Sequence, residues 1–439
     1  MGKEQKTLPL VNLFAAGIDV GASCHYICAA DGENVIVRRF GTFTEDLFAL
    51  AEWLLSLKVK TVAMESTGIY WVNLYEVLES RGITVCLANA RYVKNVPGRK
   101  SDVSDCQWIW QLHSFGLLSG SFIADEKTRA LRTYVRQREN LEQQKAAQLN
   151  IMGKALQLLN IKLRQIVSKI EIEVSMNIIR SIVAGCRNGE KLSEFYNPKM
   201  KASKEDLAKS LQGNWKPEYL FTLQQALTAY DFFKAQMLQC EHEIEHSLDE
   251  LNGGDGTKNE KKKGRIRQND FAFKAEGYLS DLTGVDLCAI DGLDEKTVVT
   301  ILSETGTDLT KWKTARHFNS WLGLVPRPKI SGEKTLGHFK QSVAGRAGRA
   351  FRAAAWSLHH SKSQLGAFYR RMAFRKGSFV AIKATAHKLA VIFWNMMTTQ
   401  MPYRNQTAIT YEEKQQKAQI RKLEKQAGKL GYTLQVANG

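Results

Sequence analysis

The chain has 439 residues and is 44% hydrophobic, enough to bury real cores, so wholesale disorder is excluded. At about 100–200 residues per domain, two to four structural units are expected. Its 62 Lys and Arg against 44 Asp and Glu give a net charge of +18, which points to a polyanionic partner, nucleic acid first.

The longest apolar run near the C-terminus, Leu389 to Met397, is far short of the roughly 20 residues that span a bilayer. The opening MGKEQKTLPL lacks an apolar signal core. The seven cysteines are scattered and odd in number, which fits free thiols in a reducing cytosol. Cys24 and Cys28 bracket His25, but no second Cys/His pair lies nearby to complete a zinc site.

Residues 13–125 read as α/β. LFAAGIDV, HYICAA, NVIVRRF, KTVAME and ITVCLA are short β-rich runs, and amphipathic helices fit Glu45–Leu57, Ile69–Ser80 and Val103–Leu117. The order β-β-β-α-β-α-β-α predicts a mixed sheet, with a meander first and βα crossovers after it. Residues 126–277 read as a helical spacer. Leu149, Met152, Leu156, Leu159, Leu163, Ile166 and Ile170 alternate steps of three and four, as in a coiled-coil seam. A second long helix over 219–251 fits either an antiparallel return or a dimer contact. Within the spacer, residues 253–268 form a Gly-flanked basic loop with Lys261, Lys262, Lys263 and Arg265.

Residues 278–402 form the C-terminal domain. Two short helices around Asp291-Gly292-Leu293 resemble a helix-hairpin-helix, which can present backbone N–H groups to phosphate. Further helices are expected near 343–360 and 378–398, and 403–439 is a basic tail. No Asp or Glu occurs from Lys334 to Tyr411, a stretch with thirteen Lys and Arg. Arg346, Arg349 and Arg352 repeat at steps of three on one helix face, and Arg370 and Arg371 add to a phosphate-binding field.

Four carboxylates carry the chemistry. Asp19 ends the first strand in GIDVG, and Glu65 ends a later strand in VAMESTG. Asp102 and Asp105 share one helix face in KSDVSD. Strand ends in α/β sheets aim side chains into the ligand crevice. Carboxylates gathered there repel one another unless cations neutralise them, and Mg²⁺ or Mn²⁺ is the natural occupant. Two such ions can drive phosphoryl transfer.

The runs GIDVG, MESTGIYW and KSDVSD resemble the DEDD transposases of bacterial insertion sequences, the insertion sequence 110 family related to the Piv invertase. WLGLVPRPKISGEKTLGHFKQSVAGRAGRAFRAAAW is similar to that family's second conserved domain. The resemblance implies an RNase H-like, RuvC-type domain over residues 1–125, with Asp19, Glu65, Asp102 and Asp105 as its metal-binding tetrad. It implies a C-terminal serine that forms a transient phosphoserine link to DNA. Ser331 matches that position best, with Ser342 as the alternative.

The resemblance further implies a composite site in a homodimer or homotetramer, a structured guide RNA pairing with donor and target DNA, and a bacterial cytoplasmic, nucleoid-associated location. The chain is longer than typical members, with extra residues over 185–270. Competing readings are a hydrolytic RuvC-like nuclease or junction resolvase without a serine, an actin-like kinase, and a non-catalytic nucleic-acid-binding protein. The kinase fold needs downstream Gly-rich phosphate loops, and none is evident.

Overall fold

The structure is a computed structural model that describes residues 9–32, 34–66, 68–88, 102–254, 270–326, 328–332, 334–338, 345–403 and 408–433. It divides into two units, residues 1–123 and 124–439. Among the described residues, no helix is long and apolar enough to cross a membrane.

The first unit is built on five strands: β1 (Ala15–Val20), β2 (His25–Asp31), β3 (Asn34–Phe40), β4 (Thr61–Glu65) and β5 (Thr84–Ala88). Their spatial order is β3-β2-β1-β4-β5. The first three form an antiparallel meander, whereas β4 and β5 run parallel to β1. The helices are α1 (Thr44–Ser56), α2 (Trp71–Ser80) and α3 (Asp102–Ser114). This is the mixed sheet expected from the sequence, in an RNase H-like arrangement.

Strand periodicity sorts the residues to two faces. Ile18, Ile27 and Met64 join Leu50 and Leu54 of α1 and Leu74 and Leu78 of α2 in one fully buried core. Each such side chain contributes about 2 kcal/mol by leaving water. The other face is thinner. Ala63 and Ala88 meet Ile109 of α3 there. At Gly17 a Cβ would overlap the Trp110 backbone nitrogen and come within 2.5 Å of the Cys106 carbonyl oxygen. Small residues on β1 and β4 therefore let α3 approach the sheet closely.

The second unit begins with α4 (Glu126–Leu158), capped by Asp125, whose carboxylate accepts from the Thr128 backbone N–H at 2.9 Å. Then come α5 (Leu163–Ile166), α6 (Glu173–Val183), α7 (Gly189–Leu192), α8 (Lys204–Ser210) and α9 (Pro217–Leu251). The two long helices, α4 and α9, pack antiparallel. Lys127 reaches the Glu250 carbonyl, and further along Arg138 reaches Glu241. The return of the second helix is thus within one chain.

The heptad run does not continue as one helix, which corrects the expected seam over 149–170. Helix α4 ends at Leu158, and Asn160 sits at φ +62°. Leu149, Met152, Leu156, Leu159, Leu163, Ile166 and Ile170 instead contribute to one cluster with Ile178, Ile179, Ile182, Leu207 and Leu223. The same 3-4 spacing serves the core of a small helical globule.

The remaining elements are α10 (Glu276–Thr283), α11 (Glu295–Thr305), α12 (Ala315–Trp321), β6 (Pro328–Ser331), β7 (Lys334–His338), α13 (Arg346–Ser357), α14 (Gln364–Lys376), α15 (Ser378–Thr399) and α16 (Ala408–Lys429). Phe318, Phe351 and Phe393 anchor α12, α13 and α15, with Phe351 edge-on to Phe393 at 5.5 Å. The segment expected to resemble a helix-hairpin-helix has a 3-10 turn, Leu287–Ala289, between α10 and α11. Gly292, at φ +87°, packs against α13: a Cβ there would lie 3.0 Å from the Ala354 carbonyl oxygen. Tyr403 donates to the Asp291 carboxylate at 3.2 Å. The hairpin tip thus faces protein.

Candidate active site

The parallel pairing of β1 with β4 sets Ile18 beside Met64. Asp19 and Glu65 each stand one residue further on, side by side at the C-terminal ends of adjacent strands. Strand alternation turns both toward the face that α3 covers, the face of Gly17 and Ala63. Glu65 is buried, 7% exposed, and Asp19 is half-buried. Asp105 lies in the first turn of α3 and is half-buried. Asp102 opens that helix, and its side chain lies outside the described residues.

Cys106 follows Asp105 on α3 and is fully buried. Burial, with the nearby negative charges of Asp19 and Asp105, pushes its thiol up to about 12. The Cys106 carbonyl lies against Gly17, two residues before Asp19, so the turn of α3 that carries Asp105 is seated beside β1. Burial and the Cys106 sulfur likewise push Cys28 up to about 12. Both thiols stay protonated near neutral pH, so the donors offered here are carboxylate oxygens, the type that hard divalent cations prefer. Among the described residues, no three carboxylate, histidine or cysteine side chains are gathered as a metal cage.

Two aromatics beside these carboxylates have structural duties. Trp110 packs its backbone on Gly17, and the Trp71 indole donates to the Gly68 carbonyl at 3.2 Å.

Ser331 ends β6, pairs in register with Lys334, and is exposed. Gly332 follows at φ +58°, a left-handed conformation that glycine adopts without strain. The serine therefore sits at the tip of a two-stranded hairpin. Ser342 lies outside the described residues, as do Lys261, Lys262, Lys263 and Arg265.

The five arginines of the C-terminal field differ in what they touch. Arg346 is half-buried and ion-paired with Glu139 of α4. Arg349, one turn on, is exposed. Arg352 is half-buried beside Lys383, whose ammonium is held below the usual lysine range first by burial and then by the Arg352 charge. Arg370 is exposed, and one of its nitrogens donates to the carbonyls of His359 and Ser361 at 3.1 and 2.6 Å. Arg371 is half-buried on the same helix.

Sequence reasoning missed a buried polar network between α4 and α9. Arg138 is 2% exposed. Its guanidinium meets Glu241 at 2.6 and 2.7 Å and stacks over Phe271 at 4.8 Å. Lys145 pairs with Glu171 at 2.8 Å, and the Tyr230 hydroxyl donates to the same carboxylate at 3.0 Å. The only sequence signal is charged residues inside an apolar helical period.

An RNase H-like sheet with acidic side chains at the C-terminal ends of two adjacent parallel strands is an arrangement suited to phosphoryl transfer on nucleic acid. Residues 16–161 match the DEDD model of the IS110 group, described as a transposase, and residues 286–370 match the transposase IS116/IS110/IS902 family. Together the matches span about half of the chain, and the chain belongs to the IS110 family of transposases, enzymes that act on DNA. No curated protein matches it.

Proposed function

We propose that this transposase cuts and rejoins DNA through a transient phosphoserine, guided by a structured non-coding RNA. The observation that carries the reading is the placement of Asp19 and Glu65 side by side on β1 and β4, under the helix that brings Asp105. The serine step and the guide RNA draw their support from family membership.

Asp19, Glu65, Asp102 and Asp105 would hold Mg²⁺ or Mn²⁺, which would activate a nucleophile and offset charge on the scissile phosphate. The Ser331 Oγ attacks phosphorus, and the bond from phosphorus to the departing deoxyribose oxygen breaks. The departing hydroxyl takes up a proton. A hydroxyl from a second strand then attacks the phosphoserine, forms the new phosphodiester and releases the serine. Each attack exchanges one phosphoester bond for another, so the phosphorus keeps two at every stage and no nucleoside triphosphate is consumed. An exposed hairpin tip gives a backbone phosphate room to reach the serine. Tetrad and serine would come from different protomers of a homodimer or homotetramer. Lys261, Lys262, Lys263, Arg265, Arg349 and Arg352 would neutralise phosphates.

The test is recovery of the protein under denaturing conditions from cells carrying the gene with its native flanking DNA, comparing wild type with Ser331→Ala. DNA attached to wild type and absent from the variant is the expected result. Loss of the adduct in Ser342→Ala instead would move the nucleophile. Strand cleavage without any adduct would replace this mechanism with hydrolysis, as in a junction resolvase.

A further inference from the structure

We propose that the turn joining α14 to α15 is a stacking site for unpaired bases of a single-stranded nucleic acid. The turn is Phe374-Arg375-Lys376-Gly377-Ser378-Phe379-Val380, and all seven residues are exposed. Gly377 at φ +81° reverses the chain there, and the two helices pack against each other behind it. Phe374 is 93% exposed and Phe379 is 78% exposed, whereas Phe351 and Phe393 nearby in sequence are fully buried. Two large apolar rings within five residues, both left in water, contribute little to folding and are available to a partner.

The chemistry between the rings selects that partner. The Arg375 and Lys376 side chains make no hydrogen bond or ion pair among the described residues. The whole stretch from Lys334 to Tyr411 has no acidic residue. An apolar protein face would leave these cations unpaired, whereas a nucleic acid offers both a ring and an anion at every step. Aromatic side chains stack on base faces, and Arg and Lys neutralise the adjoining phosphates. The first turn of the 22-residue α15 adds backbone N–H groups, because its N-cap Gly377 supplies no side-chain acceptor. A duplex hides its base faces, so the fit is to unpaired strands.

This inference takes its class of partner from the nucleic-acid reading above, and the test separates the two. Binding of the full-length protein to a labelled oligothymidylate and to a duplex of equal length is measured by fluorescence anisotropy. Phe374→Ala/Phe379→Ala should lose about fivefold or more in single-strand affinity per ring. Duplex affinity should stay within about twofold, and the melting temperature should hold, because neither ring is buried. Phe374→Trp/Phe379→Trp should restore single-strand binding. Equal loss on both probes, no loss on either, or dissociation of a protein oligomer with oligonucleotide binding intact would overturn the stacking site. A wild type that binds neither probe would overturn both this inference and the nucleic-acid reading.

Discussion

The guanidinium of Arg346 is paired with the carboxylate of Glu139, 207 residues earlier in the chain. The pair fastens α13 to the long helix α4 and engages one arginine of the row proposed to bind phosphate. Arg349, on the same helix and exposed, is not so engaged by any described contact.

The two arginines should therefore answer different assays. Arg349→Ala should weaken DNA binding and lower the slope of log affinity against log salt by about 0.9. Arg346→Ala should instead lower the melting temperature and leave that slope nearly unchanged. An equal drop in slope for both would show that Arg346 also reaches the nucleic acid.

Asp19→Asn or Asp105→Asn should abolish strand exchange while nucleic-acid binding persists. Each swap keeps size but removes a negative charge that a divalent cation needs. A plasmid recombination assay with a parallel binding measurement reads both effects. Recombination retained in either variant would remove that residue from the metal-binding set.

Gly17→Ala tests the close seating of α3 on the sheet. The added methyl would strike the Trp110 and Cys106 backbone, which cannot move without shifting the whole helix. A cost of about 1–3 kcal/mol in chemical denaturation is expected, as for an overpacked core. Activity should fall further, because Asp105 rides on the displaced helix. Unchanged stability would mean that α3 does not sit this tightly.

Removing Glu241 takes from the buried Arg138 its nearest carboxylate and leaves Glu142, at 3.4 Å, to face the guanidinium. Glu241→Ala should cost about 3–5 kcal/mol. Replacing both partners, as in Arg138→Met/Glu241→Leu, should recover much of that loss. Urea unfolding of the single and double variants gives the comparison, and an additive result would deny the pair its coupling.

Burial holds His25 and His113 below the ordinary histidine range; the His113 Nε2 also shares a 2.9 Å hydrogen bond with the Thr61 hydroxyl. On acidification the unfolded chain takes up these protons near pH ~6.5, before the folded chain does. The unfolded state then binds more protons, so stability falls as pH drops below about 6.5 and rises again toward neutrality. The melting temperature should track this, with a shallower decline in His113→Gln. A melting temperature flat across that window would contradict the burial of neutral imidazoles.

Much of the first unit was legible because its signals are local. Alternating β-rich runs fixed five strands, and GIDVG and VAMES put Asp19 and Glu65 at strand ends. Their adjacency was not legible, since it depends on β4 inserting beside β1. The heptad run misled because 3-4 spacing records only that one helical stripe is buried. It does not say whether the partner is a parallel helix or the several short helices that follow Asn160. The Arg346 contact was beyond reach for the same reason: nothing near Arg346 in sequence announces Glu139.

The stripe of α4 that holds Glu139 also presents Arg132 to the Ser303 and Glu304 carbonyls, Arg136 to both Glu304 carboxylate oxygens at 2.8 Å, and Glu142 to Lys296 at 2.5 Å. The stripe lies in the segment that matches the first family model, and its partners lie in the second. These segments therefore form a matched lock in which each charge has its counterpart across the join. A chimaera that grafts residues 286–370 from another transposase would strand the buried Glu304 carboxylate or its arginines, unless the graft carries the same complement. Module exchange in this protein must bring the long helix along.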